Sequence, residues 1–554
     1  MQQQLAVTKI YETEALVIGS GIAGLVSCFN LLQHSCQTVL TTDKKLAGGA
    51  SFSSIKGSLG IQVTDNDAQD IELFKKDLTR IGVGMDNPEL IDTYVQQSPK
   101  SIVELQNIGF KPWLRSDRRP ACFADYPRDI YLINDWRQAK DNAKKIFNHP
   151  NLQLLEEHRL LTILTENKVA IGALFITATN DYLLIKSNNI VLACGGIGGL
   201  YQHSLYPAEV NGSGHLAALD AGAKLVNMEF IQFIPALVTP KYNTLFGEHT
   251  AKYCTKLVDE FNQNLLLHIP QEQQQSLWQE YSGYAPFSCD FPSHIIDLAI
   301  FKAISSGSQF AKMSFSEKLY HDTQEFYTLY LNWLESLGIN MCRDEIGIAH
   351  FAHSCNGGIQ ISTEGETTVS GLYAVGEISS AIEGANRLGG NSVGGALVFA
   401  KRAADHIKSK KHKPLIGNEL LLSKFHHWYH KVINSDNNDS IRSPREISHQ
   451  IQAILAASAN IVRSHTQLQC ALDQIDSLTK QFSIAEHQTY LGFNALSNLR
   501  MAKVLLSCML ERTESRGAHY REDFPQRDPS SYRIEISMSQ NNDIELNKIF
   551  RSYF

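Results

Sequence analysis

Three glycines, Gly19, Gly21 and Gly24, stand in G-x-G-x-x-G spacing near the start of this 554-residue chain. That pattern suits a diphosphate. The first glycine permits a tight turn, the second lets a pyrophosphate approach the backbone, and the third lets a helix lie close against a strand. The chemistry requires particular elements around it. "EALVI" (14–18) reads as a short buried parallel strand, and "IAGLVSCFNLLQ" after the turn reads as a helix whose free N–H groups and positive dipole end face the phosphate. A second strand, "QTVLTTD", ends at Asp43, 24 residues beyond Gly19, where an acidic side chain either holds a ribose hydroxyl or caps a loop. The arginine-rich stretch "RSDRRPACFADYPRD" (115–129) is either an anion site or an exposed arginine patch.

Four later stretches repeat the theme. "NNIVLACGGIGGLY" (188–201) is a strand ending in a glycine turn, and "NGSGHLAALDAGAKL" (211–225) is a glycine turn opening an alanine-rich helix. "SCNGGIQIS" (354–362) enters a strand, and residues 371–407, from "GLYAVGE" onward, read as strand, loop and long helix. Together they describe backbone pressed against a flat, extended ligand at points where side chains would collide.

Composition narrows the class. Hydrophobic residues make up 43% and charged residues 19%, as in an ordinary globular protein, and the length suggests two to four domains. The formal charge of −7 comes with no basic stripe, so no nucleic-acid partner is expected. The ten cysteines are scattered without a Cys-x-x-Cys pair, which argues against a zinc site or an iron–sulfur cluster carried by this chain and for a reducing compartment. No secretory signal and no apolar run of transmembrane length is evident, so the cytoplasm is the expected location.

The glycine set, with "GLYAVGE", "GANRLGGNS" and "ESRGAHYREDFPQRD" (514–528), resembles the flavoprotein subunits of succinate dehydrogenase and fumarate reductase together with L-aspartate oxidase. The resemblance runs along most of the chain. It implies an α/β fold: a Rossmann-type FAD-binding domain (1–235 and 346–412), an inserted α+β capping domain (236–345) and a C-terminal helical bundle with a tail (413–554). It implies that FAD meets Gly19, Gly21, Ala23 and Gly24 at the first turn, with Asp43 and Lys44 at the ribose. Gly49, Ser51 and Gly57 would meet it on the next loop, and Ala193, Cys194 and Gly195 on the later strand. Gly376 and Glu377 would hold the ribose, and Asn391 and Ser392 would face the flavin's pyrimidine end. Respiratory members attach FAD to a histidine in a segment like "GGASFSSIKGSLG" (48–60). Phe52 stands there and the segment has no histidine, so the flavin is expected to be bound non-covalently.

The substrate half departs from the pattern. The resemblance makes Arg387 the carboxylate-binding arginine, the alternative being a salt bridge that fastens its loop. His353 keeps a four-residue distance to Gly357 and matches a substrate histidine, with His350 a rival; Gln232 is retained, and Glu248 matches an acidic residue of the proton path. In "EFIQFIP" (229–235), however, Ile234 occupies the place of a substrate histidine. Leu298, in "PSHIIDLAI" (292–300), takes the place of the catalytic arginine, and no arginine lies between Arg137 and Arg343. Glu383 replaces a histidine and His215 an acidic residue. If a proton is still moved, the capping histidines His249 and His294 are the candidates, since imidazole titrates near neutrality, the alternative for each being an ordinary surface or core histidine. The expected activity is hydride exchange between flavin N5 and a small anionic carboxylate- or amine-bearing substrate. The alternative is a flavoprotein component passing electrons to or from an iron–sulfur partner.

Beyond residue 415, the stretches 451–481 and 491–517 carry apolar residues at helical spacing and predict two long amphipathic helices, with a polar linker (430–447) before them. Arg516 and His519 are expected to pin the 514–528 arm rather than act in catalysis.

Overall fold

The computed structural model describes residues 7–551 apart from 66, 285, 381, 412–413, 433–441, 485–488, 540 and 542, so the middle of the expected linker lies outside the described residues. A five-stranded parallel sheet forms the base, in the order Leu372–Ala374, Ile190–Leu192, Ala15–Ile18, Thr38–Thr42, Leu152–Glu156. Its central segments, ALVI, TVLTT and IVL, are buried throughout, as strands covered on both faces must be. Helices Ile22–Gln33 and Asn391–Ser409 lie against each other over the sheet, so residues 370 positions apart share one layer. Close packing at the first turn depends on glycine. A Cβ on Gly19 (φ +111°) would stand 2.3 Å from the Ala193 carbonyl oxygen, and one on Gly24 would stand 1.9 Å from the Gly19 carbonyl oxygen.

The cap is built on a second five-stranded sheet, Thr244–Leu245, Ile231–Thr239, Ile346–Cys355, Ala311–Phe315, Cys254–Val258, antiparallel throughout. Its two long central strands run from Ile231 and out to Cys355, so the boundary expected at 235/236 falls inside one strand and that at 345/346 leaves the other outside the cap. The cap has its own core around Phe246, Trp278, Ile300, Leu331 and Leu334.

The C-terminal region holds helices Pro444–Ser458, His465–Gln481 and Thr489–Glu511. The segment 451–481 is therefore two helices, not the one expected. The chain breaks at Val462–Arg463, which pairs with Tyr520–Arg521. There the fully buried Arg463 donates to the carbonyls of Asn460 (2.8 Å) and Glu229 (2.9 Å) and lies 2.6 Å from His519 Nδ1. Those bonds outweigh the helical periodicity. The 514–528 arm is fastened by buried ion pairs, Arg512 to Glu229 and Glu514 (both 2.7 Å) and Arg516 to Glu514 (2.8 Å). Arg516 and His519 thus lie in a network that ties the arm to the FAD-binding domain. The tail strands Tyr532–Met538 and Ile544–Phe550 extend a further sheet through Leu225–Val226, so the C-terminus returns to the first domain. Among the described residues, no helix is long and apolar enough to cross a membrane and no group of side chains could hold a metal ion.

Candidate functional site

One cavity of about 910 Å³ runs from the Gly19–Gly21 turn to the underside of the cap. It is at the large end of the range for small-molecule and cofactor sites, about 300–1,000 Å³. Two helix N-termini open onto it. Helix Ile22–Gln33 starts at Gly21 without a capping side chain on Gly21 itself, and the Ile22 N–H is met by Ser51 Oγ at 3.1 Å. Helix Asn391–Ser409 starts at Gly390 (φ +89°), also with no side-chain cap. Helix starts left open in this way supply N–H donors and positive dipole ends for anionic groups. A Cβ on Gly21 would meet only Ser51 Oγ, and Gly49 has nothing within 4 Å, so the cradle is open where a dinucleotide would lie. These features fit FAD.

Most of the expected cofactor residues line this cavity: Gly19, Gly21, Ala23, Asp43, Lys44, Gly49, Ser51 and Gly57, then Ala193 to Gly195, Gly376, Glu377 and Ser392. Two stand back. Gly24 is used up in helix–strand contact, and Asn391 is buried, with its Oδ1 3.4 Å from the Tyr94 hydroxyl. Asp43 accepts from Arg159 Nη2 (2.8 Å) and from the Tyr490 hydroxyl (2.8 Å), so its carboxylate is oriented before any ribose arrives. Glu377 accepts from the Tyr206 hydroxyl (2.7 Å) and the Cys355 N–H (3.1 Å). Burial raises its carboxyl above the ordinary range, opposed by those bonds and by Lys56 and Arg387. Phe52 is buried against Phe110, with ring centroids 4.9 Å apart.

Deeper in, Arg387 Nε donates to Gln232 Oε1 at 3.0 Å and Nη2 lies 3.2 Å from His353 Nε2. Burial, with the charges of Lys56 and Arg387, drives the His353 imidazole well below its ordinary range. It is therefore neutral, accepting at Nε2 and holding a proton at an unpartnered Nδ1. Arg387 makes no ion pair among the described residues, which removes the fastening salt bridge as its role. His350 is not a rival. Its Nε2 bonds to Asp297 (2.8 Å), which also takes the Tyr281 hydroxyl (2.7 Å), and it stands outside the cavity.

The proton-transfer candidates divide. His249 lines the cavity, ringed by Phe326, Tyr327 and Tyr330, and burial lowers its basicity. Glu248 Oε2 is 3.9 Å from its Nδ1, beyond hydrogen-bond reach. Burial works against the Glu248 carboxylate, but His249, Arg119 and the Cys122 thiol (3.0 Å) outweigh it, and the group stays ionised. His294 is not in the cavity. It opens helix His294–Ser305, with Nδ1 on the Phe291 carbonyl (2.6 Å) and its ring against Tyr520. Leu298, on the same helix, is also outside; Ile234 lines the cavity. His215 is fully buried, with both ring nitrogens unpartnered and burial lowering its pKa to about 4.

One cation was not singled out by sequence. Lys56 is buried at 8% exposure and lines the cavity, its Nζ 4.6 Å from the Tyr206 ring centre. Burial lowers it to about 8, with Glu377 opposing and Arg387 reinforcing that fall. A lysine inside the glycine- and serine-rich run 48–60 was the available signal. Arg115 and Arg119 also line the cavity, with guanidinium groups 5.3 and 5.0 Å from the Phe326 ring centre. Arg128 is buried against Asp77 (3.1 Å). The 115–129 stretch is therefore largely turned inward, and the exposed-patch alternative holds only for Arg118.

A family model for an FAD binding domain matches residues 14–393, and one for the fumarate reductase flavoprotein C-terminus matches residues 448–549. The chain belongs to this family of FAD-binding flavoproteins and is an FAD-dependent oxidoreductase. Its relatives include one of the subunits of the CoM/CoB fumarate reductase of Methanothermobacter marburgensis, 25% identical over 94% of this chain and 96% of its own length. The L-aspartate oxidase of Bacillus subtilis is 27% identical over 93% of this chain and 92% of its own. Among solved structures, a mutant FrdA of E. coli quinol fumarate reductase superposes with a TM-score of 0.78 at 20% identity, covering 98% of this chain and 97% of the other, a likeness of fold.

Proposed function

We propose that the protein exchanges a hydride between flavin N5 and a carbon of a small carboxylate- or amine-bearing substrate held beside Arg387. The observation that carries this reading is that Arg387, anchored by Gln232 and His353, lines the same cavity as the open Gly21 turn. FAD, bound non-covalently because the 48–60 segment has no histidine, would supply the two-electron chemistry. The chain supplies the rest. The Arg387 fork binds a carboxylate, and the neutral His353 keeps the fork in place without competing for the anion. The cap excludes water from the reacting carbon. Lys56, protonated at neutral pH and able to release that proton near pH 8, is better suited than the walled-in His249 to the proton step for which the cap has no arginine.

Anaerobic photoreduction of the purified holoenzyme, followed by flavin absorbance while carboxylic acids and amino acids are added, tests this. Reoxidation by an organic acid supports it. The M. marburgensis relative is one component of a multi-chain reductase, which favours a second reading, electron transfer to a protein partner. A flavin that no small molecule reoxidises when photoreduced, and none reduces when oxidised, would leave that reading standing and remove the first.

A further inference from the structure

Within the flavin-oxidoreductase reading above, the geometry points to a monocarboxylate with a flat apolar body as the substrate class, its carboxylate at Arg387 and its body beneath the cap. One cap helix over the cavity, Glu325–Ser336, lines it with Phe326, Leu329, Tyr330 and Trp333 at three- and four-residue spacing, beside Asn332 and Ser336. Trp333 comes down onto the floor, its ring 2.9 Å from where a Gly57 Cβ would stand. The cavity that Arg387 lines is thus roofed in part by aromatic rings and a leucine, surfaces that favour stacking or edge contact with another flat group.

The position that would hold a second carboxylate is hydrocarbon. Ile234 is 5% exposed and sits in an apolar cluster with Leu205, Ala236, Ala349 and Phe351. A carboxylate set there would lose its water with no donor in exchange, which is prohibitive for an unpaired charge. The neighbouring arginines do not rescue it. Arg115 is paired to Asp117 at 2.8 Å, and Arg119 donates to the Ser282 carbonyl at 2.8 Å, with both guanidinium groups laid on Phe326. The ionised Glu248 beside Arg119 would repel a second anion. Arg387 and Lys56, without carboxylate ion pairs among the described residues, share one part of the cavity and make one anion-binding subsite. Arg119, likewise without one, is held by the Ser282 carbonyl and faces the Glu248 carboxylate, whereas a dicarboxylate needs two such subsites.

The test is a titration of the oxidised holoenzyme, read by flavin absorbance, with cinnamate, crotonate, fumarate, succinate and L-aspartate at constant ionic strength. Cinnamate is expected to bind at least tenfold tighter than crotonate and than any of the three dicarboxylates. Trp333→Ala should narrow the cinnamate-to-crotonate ratio about tenfold, and Ile234→His should shift preference toward fumarate; retained flavin and an unchanged melting curve show that each variant is folded. Tighter binding of fumarate, succinate or aspartate than of cinnamate by the unaltered protein would overturn the inference. So would a spectrum that cinnamate leaves unmoved. Failure of the flavin to photoreduce would instead overturn the reading on which the inference rests.

Discussion

Lys56 provides the most discriminating experiment. Its ammonium is buried, with no hydrogen bond or ion pair to it among the described residues, and faces the Tyr206 ring, Glu377, Arg387 and His353. Burial is the largest reason its pKa falls from 10.5 to about 8. The sign follows directly. Between those values the unfolded chain holds the proton and the folded chain does not, so folding stability rises with pH across that window. At about 1.36 kcal/mol per pH unit, the contribution is on the order of 3 kcal/mol. A carboxylate bound nearby reverses the balance by favouring the ammonium, so anion binding takes up a proton once the pH exceeds about 8.

Affinity for a carboxylate ligand should therefore be flat below about pH 7.5 and weaken above pH 8, approaching tenfold per pH unit. The total loss is bounded by the worth of one hydrogen bond to a charged group, about 1.5–3 kcal/mol, or roughly 10- to 150-fold. Flavin absorbance titrations between pH 6.5 and 9.5 read it. Lys56→Met should bind weakly with the pH step removed, and Lys56→Arg should bind tightly across the range, because a guanidinium keeps its proton. Glu377, whose carboxyl is itself raised by burial, is unaltered in both variants. A wild-type profile without a step, or a Lys56→Met profile parallel to it, would refute the reasoning.

Other outcomes follow from single contacts. Arg387→Met should cost about 1.5–3 kcal/mol of carboxylate affinity, the worth of a charged hydrogen bond, while flavin content, measured by absorbance ratio, is retained; equal affinity in the variant would remove Arg387 from the anion site. Gly24→Ala places a methyl 1.9 Å from the Gly19 carbonyl oxygen, and should destabilise the fold by about 1–3 kcal/mol in urea unfolding and lower flavin occupancy. Precipitation of the holoenzyme with trichloroacetic acid should leave the flavin in the supernatant; a yellow pellet would show a covalent link that Phe52 does not provide.

The nucleotide half was legible in the sequence because its requirement is local. A backbone that approaches a diphosphate must be glycine within a few consecutive residues, and strand and helix periodicities bracket it, so the Gly19–Gly21 turn could be read from spacing alone, while the 376–377 turn followed from the family resemblance. The substrate half is set by which segments meet in space, and no linear pattern records that. Lys56 becomes chemically distinct only because Tyr206, Arg387 and His353, from three distant segments, close around it and remove its water. His294 and His350 carry the same imidazole as His353, yet one stands against Tyr520 and the other bonds Asp297. The same reasoning explains the broken helix at Arg463. Periodicity predicts a continuous helix, but a buried guanidinium must find acceptors, and it finds them in Asn460 and Glu229 on a backbone that leaves the helix. Where a buried charge and a local propensity disagree, the charge decides, because an unpaired buried ion costs several kcal/mol while one residue's helix propensity is worth less than about 1 kcal/mol.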